Sequence, residues 1–178
     1  MKLLIASDLH GSAGACRAVL GRFAAERADT LVLLGDLLYH GPRNPVPADY
    51  DPPAVAALLN GLAPRILAVR GNCDAEVDQM LLRFPMQSDS ALLLLPDGRR
   101  CFLTHGHVFG PDRLPPLAPG DALLYGHTHV PVLRAENGLL LLNPGSVTFP
   151  KEGHPPTCAV WENGVFDLRT LGGAPYRP

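Results

Sequence analysis

Short, almost wholly apolar runs that stop abruptly at polar residues recur along this chain, and the rest of the reading is built on them. Lys2–Ser7, Thr30–Leu34 and Arg65–Val69 each read as a buried strand, since they are short, largely apolar and bounded by polar residues or glycine. Between the first two, Ser12 is an expected N-cap for a helix to about Ala25, because Cys16, Val19, Leu20 and Phe23 recur at helical spacing. Strand, helix, strand at this separation is a βαβ unit, so the first two strands should lie parallel. Tyr39 to Pro53 carries five prolines and no periodicity, which predicts a long loop just past Asp36. Pro53 then opens a short helix to about Leu62, and another short helix is expected over Ala75–Leu82.

After Phe84 the pattern changes to closely spaced strands. Ala91–Leu95 and Cys101–Thr104 form a hairpin about Pro96-Asp97-Gly98. Further strands are expected at Ala122–Tyr125, Val132–Ala135, Leu139–Asn143, Ser146–Phe149, Thr157–Glu162 and Val165–Leu171. Asn137-Gly138 and Asn163-Gly164 supply hairpin turns. With no repeat or linker, 178 residues are read as one domain, 1–178, with Gly172–Pro178 expected to fray.

A net charge of −2 argues against general nucleic-acid binding, which needs a basic face. Cys16, Cys73, Cys101 and Cys158 are widely spaced with no C-x-x-C pair, which fits neither a zinc ribbon nor a disulfide scaffold and suits a reducing cytosol. Too few apolar residues precede Asp8 for a signal peptide, and no apolar run approaches the roughly 18 residues of a membrane span. A cytoplasmic protein without membrane attachment is expected.

The polar ends of the strands carry the chemistry. Alternate residues of an extended chain point the same way, so Asp8 and His10 can aim at one point beyond the first strand. In open α/β sheets ligands collect at such carboxyl ends. Gly35-Asp36, Gly71-Asn72-Cys73-Asp74, His105-Gly106-His107 and Gly126-His127-Thr128-His129 end their segments in the same manner, and five of the seven histidines lie in these stretches. Imidazole with carboxylate suits Mn, Fe, Zn or Ni. The donors Asp8, His10, Asp36, Asn72, His105, His127 and His129 are too many for one tetrahedral ion and suit two ions sharing a bridge, which a carboxylate such as Asp36 can form. Asn72 adds a neutral carbonyl oxygen.

The stretches SDLHGS, LLGDLLYHGPRN, AVRGNCDAEVDQMLL, FLTHGHVFGP, LLYGHTHVPV and NPGSV, running from Ser7 to Val147, resemble the calcineurin-like metallophosphoesterase superfamily, and within it the small bacterial YfcE-type phosphodiesterases. The resemblance implies an α/β fold, an αββα sandwich of two packed mixed sheets with helices outside. It also implies ligand roles: Asp8, His10 and His129 for a first metal, Asn72, His105 and His127 for a second, Asp36 bridging. Mn2+ is the expected ion, with Ni2+, Zn2+, Fe or Mg2+ as alternatives. The implied activity is hydrolysis of a small phosphodiester by a hydroxide shared between two ions about 3.5–4 Å apart. The alternatives are a phosphomonoesterase or phosphoprotein phosphatase, and a retromer-like scaffold that binds protein without catalysis. A homo-oligomer is compatible with this reading, and no stable nucleic-acid complex is expected.

One residue departs from the family pattern. Much of the superfamily has a histidine after the Gly-Asn pair that helps the leaving group; here Cys73 stands there, a poorer general acid whose proton is expected to leave near pH 8.5. Esters with easily expelled leaving groups should be favoured. His107 is read as a supporting residue or a substrate contact. His40 and Arg43 are equally a substrate contact or a solvated loop. Asp74 is expected to cap the following helix, with orienting a metal-ligand histidine as the alternative; Arg70 is expected to form an ordinary ion pair, with holding phosphate as the alternative; and His154 is expected to be unrelated to the site. Cys16, Cys101 and Cys158 are expected to be buried hydrophobes, and Asn143-Pro-Gly-Ser146 a strand-joining turn, with a turn packed beside the site as the functional alternative.

Overall fold

The structure, a computed structural model, describes residues 1–178. The first βαβ unit forms as the pattern predicts. Strand β1 (Lys2–Ala6) leads to helix α1 (Ala13–Glu26) and strand β2 (Thr30–Leu33), and β1 and β2 pair in parallel. Ser12 caps α1 by accepting the Ala15 N–H, satisfying one of the unpaired donors of the first turn. The proline-rich loop follows, and Asp51 caps α2 (Pro52–Asn60). Strand β3 (Ile66–Ala68) then pairs in parallel with β2. The short helix after it is a 3-10 turn, Glu76–Met80.

The second half supplies β4 (Ser90–Leu94), β5 (Arg100–Thr104), β6 (Ala122–Leu124), β7 (Val132–Glu136) and β8 (Leu139–Asn143). These form one mixed sheet in the order β4-β5-β6-β8-β7. β9 (Thr157–Glu162) and β10 (Val165–Thr170) return to the first sheet, with β9 antiparallel to β1. Within the tail expected to fray, Pro175–Tyr176 forms β11 on β10, completing the order β11-β10-β9-β1-β2-β3. Tyr176 packs against the core and its hydroxyl meets Nδ1 of His154 at 2.5 Å, contacts that hold a terminus in place. Ser146–Phe149 is not a strand. The Ser146 hydroxyl accepts the N–H groups of Thr148 and Phe149, a local pairing that replaces a sheet ladder.

The inner faces of the two sheets meet through Leu3, Ile5, Val32, Leu103, Leu124 and Trp161. Both α-helices cover the outer face of the six-stranded sheet, with Cys16, Val19, Phe23, Val55 and Leu59 against Leu4, Leu31 and Leu33. No helix covers the other sheet; Leu117 lies on its outer face against Leu123, Tyr125, Leu139 and Leu141. Cys16, Cys101 and Cys158 are buried, as expected of small apolar side chains. No helix is long and apolar enough to cross a membrane.

Candidate metal centre

The strands that run in parallel within their sheets are β1, β2 and β3 in one and β5, β6 and β8 in the other. Asp8 and His10 follow β1, Asp36 follows β2, Asn72 follows β3, His105 follows β5, and His127 and His129 follow β6. Backbone pairing continues past the strands and ties these loops together. Asp8 N donates to Gly35 O (3.1 Å), His10 N to Asp36 O (2.9 Å) and Gly126 N to His105 O (2.7 Å).

Five of these residues carry a backbone conformation that L-residues rarely adopt. Asp8, His10, Asp36, His127 and His129 have φ of 63, 47, 55, 64 and 64°. Such angles cost free energy and gather where the surrounding structure imposes them, commonly at functional sites. Two glycines permit the loops to close. A Cβ on Gly71 would collide with Asp36, and one on Gly126 would collide with the Ser7 hydroxyl.

The donor atoms converge. Those of Asp8, His10 and His129 lie within 4.8 Å of one another, as do those of Asp8, Asp36 and His105, and of His10, Asp36 and Cys73. Asn72 Oδ1 stands 3.1 Å from His105 Nε2. His127 joins none of these triplets; its ring centroid lies 5.1 Å from that of His105, and its backbone N–H donates to Asp8 Oδ2.

The hydrogen bonds fix how the imidazoles present themselves. Nδ1 of His10, His105 and His129 face the carbonyl oxygens of Tyr39, Leu34 and Phe149 at 3.0, 2.7 and 2.7 Å. A carbonyl only accepts, so each Nδ1 carries the hydrogen and each neutral ring turns an Nε2 lone pair inward. His10 Nε2 and His129 Nε2 then face each other at 3.3 Å, and Asp8 Oδ1 lies 3.5 and 3.2 Å from them. That buried oxygen has no hydrogen-bond donor. Lone pairs this close, out of water, require protons or a cation among them. The donor set fits a divalent metal.

Burial works against ionising Asp8 and Asp36, yet Asp8's contacts with His10 and His129, and Asp36's with His105, keep both carboxyls below the usual range. Burial also disfavours charge on His105, but its contact with Asp36 and the charge of Asp8 lift it to about 9.

The remaining side chains settle the alternatives left open by the sequence, and Asp74 and Cys73 depart from the expectation. Asp74 caps no helix; Asp78 accepts the Ala75 N–H there. Asp74 instead accepts the backbone N–H groups of Asp36 (2.8 Å), Leu37 (2.7 Å) and Gly71 (2.7 Å), knitting the loops after β2 and β3 together. Burial pushes its carboxyl up to about 6 despite those donors. The Asn143–Ser146 turn packs beside the site: Asn143 Nδ2 donates to Gly126 O and Thr128 Oγ1, and Ser146 Oγ donates to Asp8 O. Cys73 lines the cavity, and burial with the charges of Asp36, Asp74 and Asp8 pushes its thiol up to about 12, not near 8.5. His107 is exposed, 5.5 Å from His105 ring to ring, with no hydrogen bond to any candidate ligand. His40 packs between Tyr39 and Tyr50, tilted against the first ring and edge-on to the second, and is absent from the cavity wall, whereas Arg43 is part of it. Arg70 pairs with Asp89.

Residues 1–163 match the calcineurin-like phosphoesterase superfamily domain. The chain belongs to that superfamily. Within it, this metallophosphoesterase chain is 50% identical to phosphodiesterase YfcE of Escherichia coli K12 over 171 residues, covering 96% of this chain and 92% of the relative. The structure of E. coli YfcE, described as a phosphoesterase, superposes with a TM-score of 0.96 at 48% identity over 99% of this chain and 97% of that one. The probable metallophosphoesterase YsnB of Bacillus subtilis is 29% identical over 95% of this chain and 89% of its own length.

Proposed function

We propose that this chain is a metal-dependent phosphodiesterase, acting as a single cytoplasmic domain on small phosphodiesters. The observation that carries the reading is the inward-facing set of Asp8, His10 and His129 beside Asp36, His105 and Asn72, in a chain half identical to a phosphodiesterase. Asp8, His10 and His129 would hold one divalent ion, and Asn72, His105 and His127 the other. Asp36 would bridge through Oδ2, which lies 3.7 Å from His10 Nε2 and 3.3 Å from His105 Nε2. Mn2+ suits a set of imidazoles, carboxylates and an amide oxygen, and geometry and supply rather than affinity select the ion.

When bound, two divalent ions supply Lewis acidity toward phosphoryl oxygens and acidify water near neutral pH. The protein's own part is preorganisation. Backbone carbonyls fix three imidazole tautomers, Asp74 fixes the loop that carries Asp36, and Asn143 and Ser146 brace the loops of His127 and Asp8. Cys73 offers a thiol where an imidazole would be a better proton donor to a departing alkoxide.

The scaffold alternative is disfavoured because every candidate ligand position keeps a competent donor. The deciding experiment measures turnover of aryl diesters and monoesters by metal-stripped protein resupplied with Mn2+, Ni2+, Mg2+ or Zn2+. Metal-dependent hydrolysis with diesters preferred is expected. A preference for monoesters would move the assignment to the phosphatases, and failure to bind metal at micromolar concentration would return it to the scaffold.

A further inference from the structure

A cavity of about 540 Å³ opens over the candidate ligands, and its wall is unusual for a small-molecule site. Such pockets are mostly lined by apolar and aromatic side chains. Apart from the candidate ligands this one is lined by Gly41, Pro42, Arg43, Asn44, Thr128 and Lys151 together with Cys73, and by no leucine, valine, phenylalanine, tyrosine or tryptophan. Nothing in the wall offers the apolar surface that would hold an acyl chain.

Two residues in that wall are cations without partners. Neither the Arg43 guanidinium nor the Lys151 ammonium takes part in any of the protein's ion pairs or side-chain hydrogen bonds; Arg17, Arg27, Arg83, Arg99 and Arg113 are likewise free of ion pairs, but only Arg43 and Lys151 stand in the cavity wall. Both sit on held turns. The turn of Arg43 is closed by Asn44, whose Nδ2 donates to His40 O at 2.8 Å. Further along the same loop, Asp49 accepts the Ser12 hydroxyl and the Gly14 N–H. Lys151 N donates to His129 O (3.3 Å), and His154 N donates to Lys151 O (3.0 Å). His154 is itself fastened to Tyr176. The protein thus braces both cations at the rim of the site, one on each of two separate loops.

From this we propose that Arg43 and Lys151 form an anion subsite beside the reacting phosphate. The preferred substrates are small polar phosphodiesters that carry a second anionic group, a further phosphate or a carboxylate, near the scissile phosphorus. Arginine and lysine are the side chains suited to such groups. The inference rests on the phosphodiesterase reading and narrows its substrate class.

The test compares three p-nitrophenyl diesters that share a leaving group and differ in the other arm: ethyl, 2-carboxyethyl and 2-phosphoethyl. Manganese-loaded full-length protein should show a KM about fivefold lower for at least one charged arm than for ethyl, the gain typical of a solvent-exposed ion pair. Whichever arm gains more identifies the second group. Arg43→Glu and Lys151→Glu should each abolish or invert that ratio. Arg17→Glu, which changes net charge equally on an exposed face of α1, should preserve it. Calorimetric binding of 2-phosphoethyl methylphosphonate against ethyl methylphosphonate should show the same preference without turnover.

Equal KM values and equal analogue affinities in the wild type would overturn the subsite while leaving the phosphodiesterase reading intact. So would a loss in Arg43→Glu and Lys151→Glu that is the same for all three arms. Absence of turnover for every diester would instead count against the phosphodiesterase reading, and the binding comparison would still decide the subsite.

Discussion

Oδ1 of Asp36 accepts the backbone N–H of Cys73 at 2.8 Å, which leaves Oδ2 as the oxygen turned toward His10 and His105. From sequence, a bridging carboxylate is expected to offer both oxygens. Here Oδ1 accepts a peptide N–H, and Oδ2 is the oxygen that faces both imidazoles. Asp36→Asn keeps the shape but removes the charge and puts an N–H₂ group in that position in one of its two orientations. Its activity should fall by more than the roughly 10–100-fold seen when an outer support of a metal ligand is removed. Metal analysis of the purified variant should show substoichiometric loading.

Asp74 never touches the cavity, yet it holds three backbone N–H groups of two ligand loops. Asp74→Ala leaves those donors buried and unpaired, at a cost of about 1–3 kcal/mol for each that finds no water. Metal affinity should weaken about 10–100-fold, with activity recovered at raised metal concentration. Titration of the stripped variant with Mn2+ would read this. A variant inactive at every metal concentration, though folded by circular dichroism, would place Asp74 in the chemistry itself.

Cys73 provides the sharpest test of the leaving-group argument. Cys73→His should raise the rate on alkyl diesters more than on aryl diesters, because alkoxides need a proton and nitrophenolates do not. The neighbouring loop limits the gain, since even a Cβ on Gly41 would lie 2.8 Å from Cys73 Sγ, and an imidazole must displace that segment. Equal acceleration of both classes, or none, would remove leaving-group assistance from position 73.

Removing the metals should cost stability as well as activity. The facing imidazole lone pairs of His10 and His129 are relieved by a cation, whose binding also offsets the strained backbone at Asp8, His10, Asp36, His127 and His129. At a free metal concentration about a hundredfold above Kd, binding adds about 2.7 kcal/mol. For a domain of this size that corresponds to a Tm roughly 5–10 °C higher than in chelator. An unchanged Tm would mean the site binds metal too weakly to contribute.

Acid stability has a separate source on the opposite side of the fold. Glu26, with its side chain 8% exposed, faces Lys2 (2.9 Å), Arg22 (3.5 Å) and Arg169 (3.6 Å). Burial raises its pKa, but the Lys2 hydrogen bond and the charges of Arg169, Lys2 and Arg22 outweigh burial and hold the carboxyl below its usual value of 4.5. A depressed carboxylate stabilises the fold above its unfolded pKa and loses that contribution as pH falls through its folded one. Glu26→Gln should cost about 1 kcal/mol at pH 7 and progressively less below pH 4.5 in urea unfolding.

What could be read from sequence was local and periodic. The apolar runs became strands because only burial on both faces explains unbroken Leu and Ile in Lys2–Ala6 or Thr30–Leu33, and Ser12 capped its helix as such residues do. The candidate ligands were legible because each stands within a few residues of a strand end. Asp74 was not, because its partners are amides whose positions depend on how β2 and β3 meet. Ser146–Phe149 looked like a strand because its apolar alternation is genuine; one hydroxyl that accepts two N–H groups decides otherwise. The helix-free outer face of the five-stranded sheet was equally out of reach, since which face a helix covers is settled by long-range packing rather than by its own stripe.

The fastening of Tyr176 onto His154 ties the last strand to the turn that carries Lys151. The same short turn carries a cation into the cavity wall and hands its N–H to the carbonyl of His129. A phenol at the far edge of one sheet is therefore linked, through a single turn, to the wall of the entrance and to the backbone of His129.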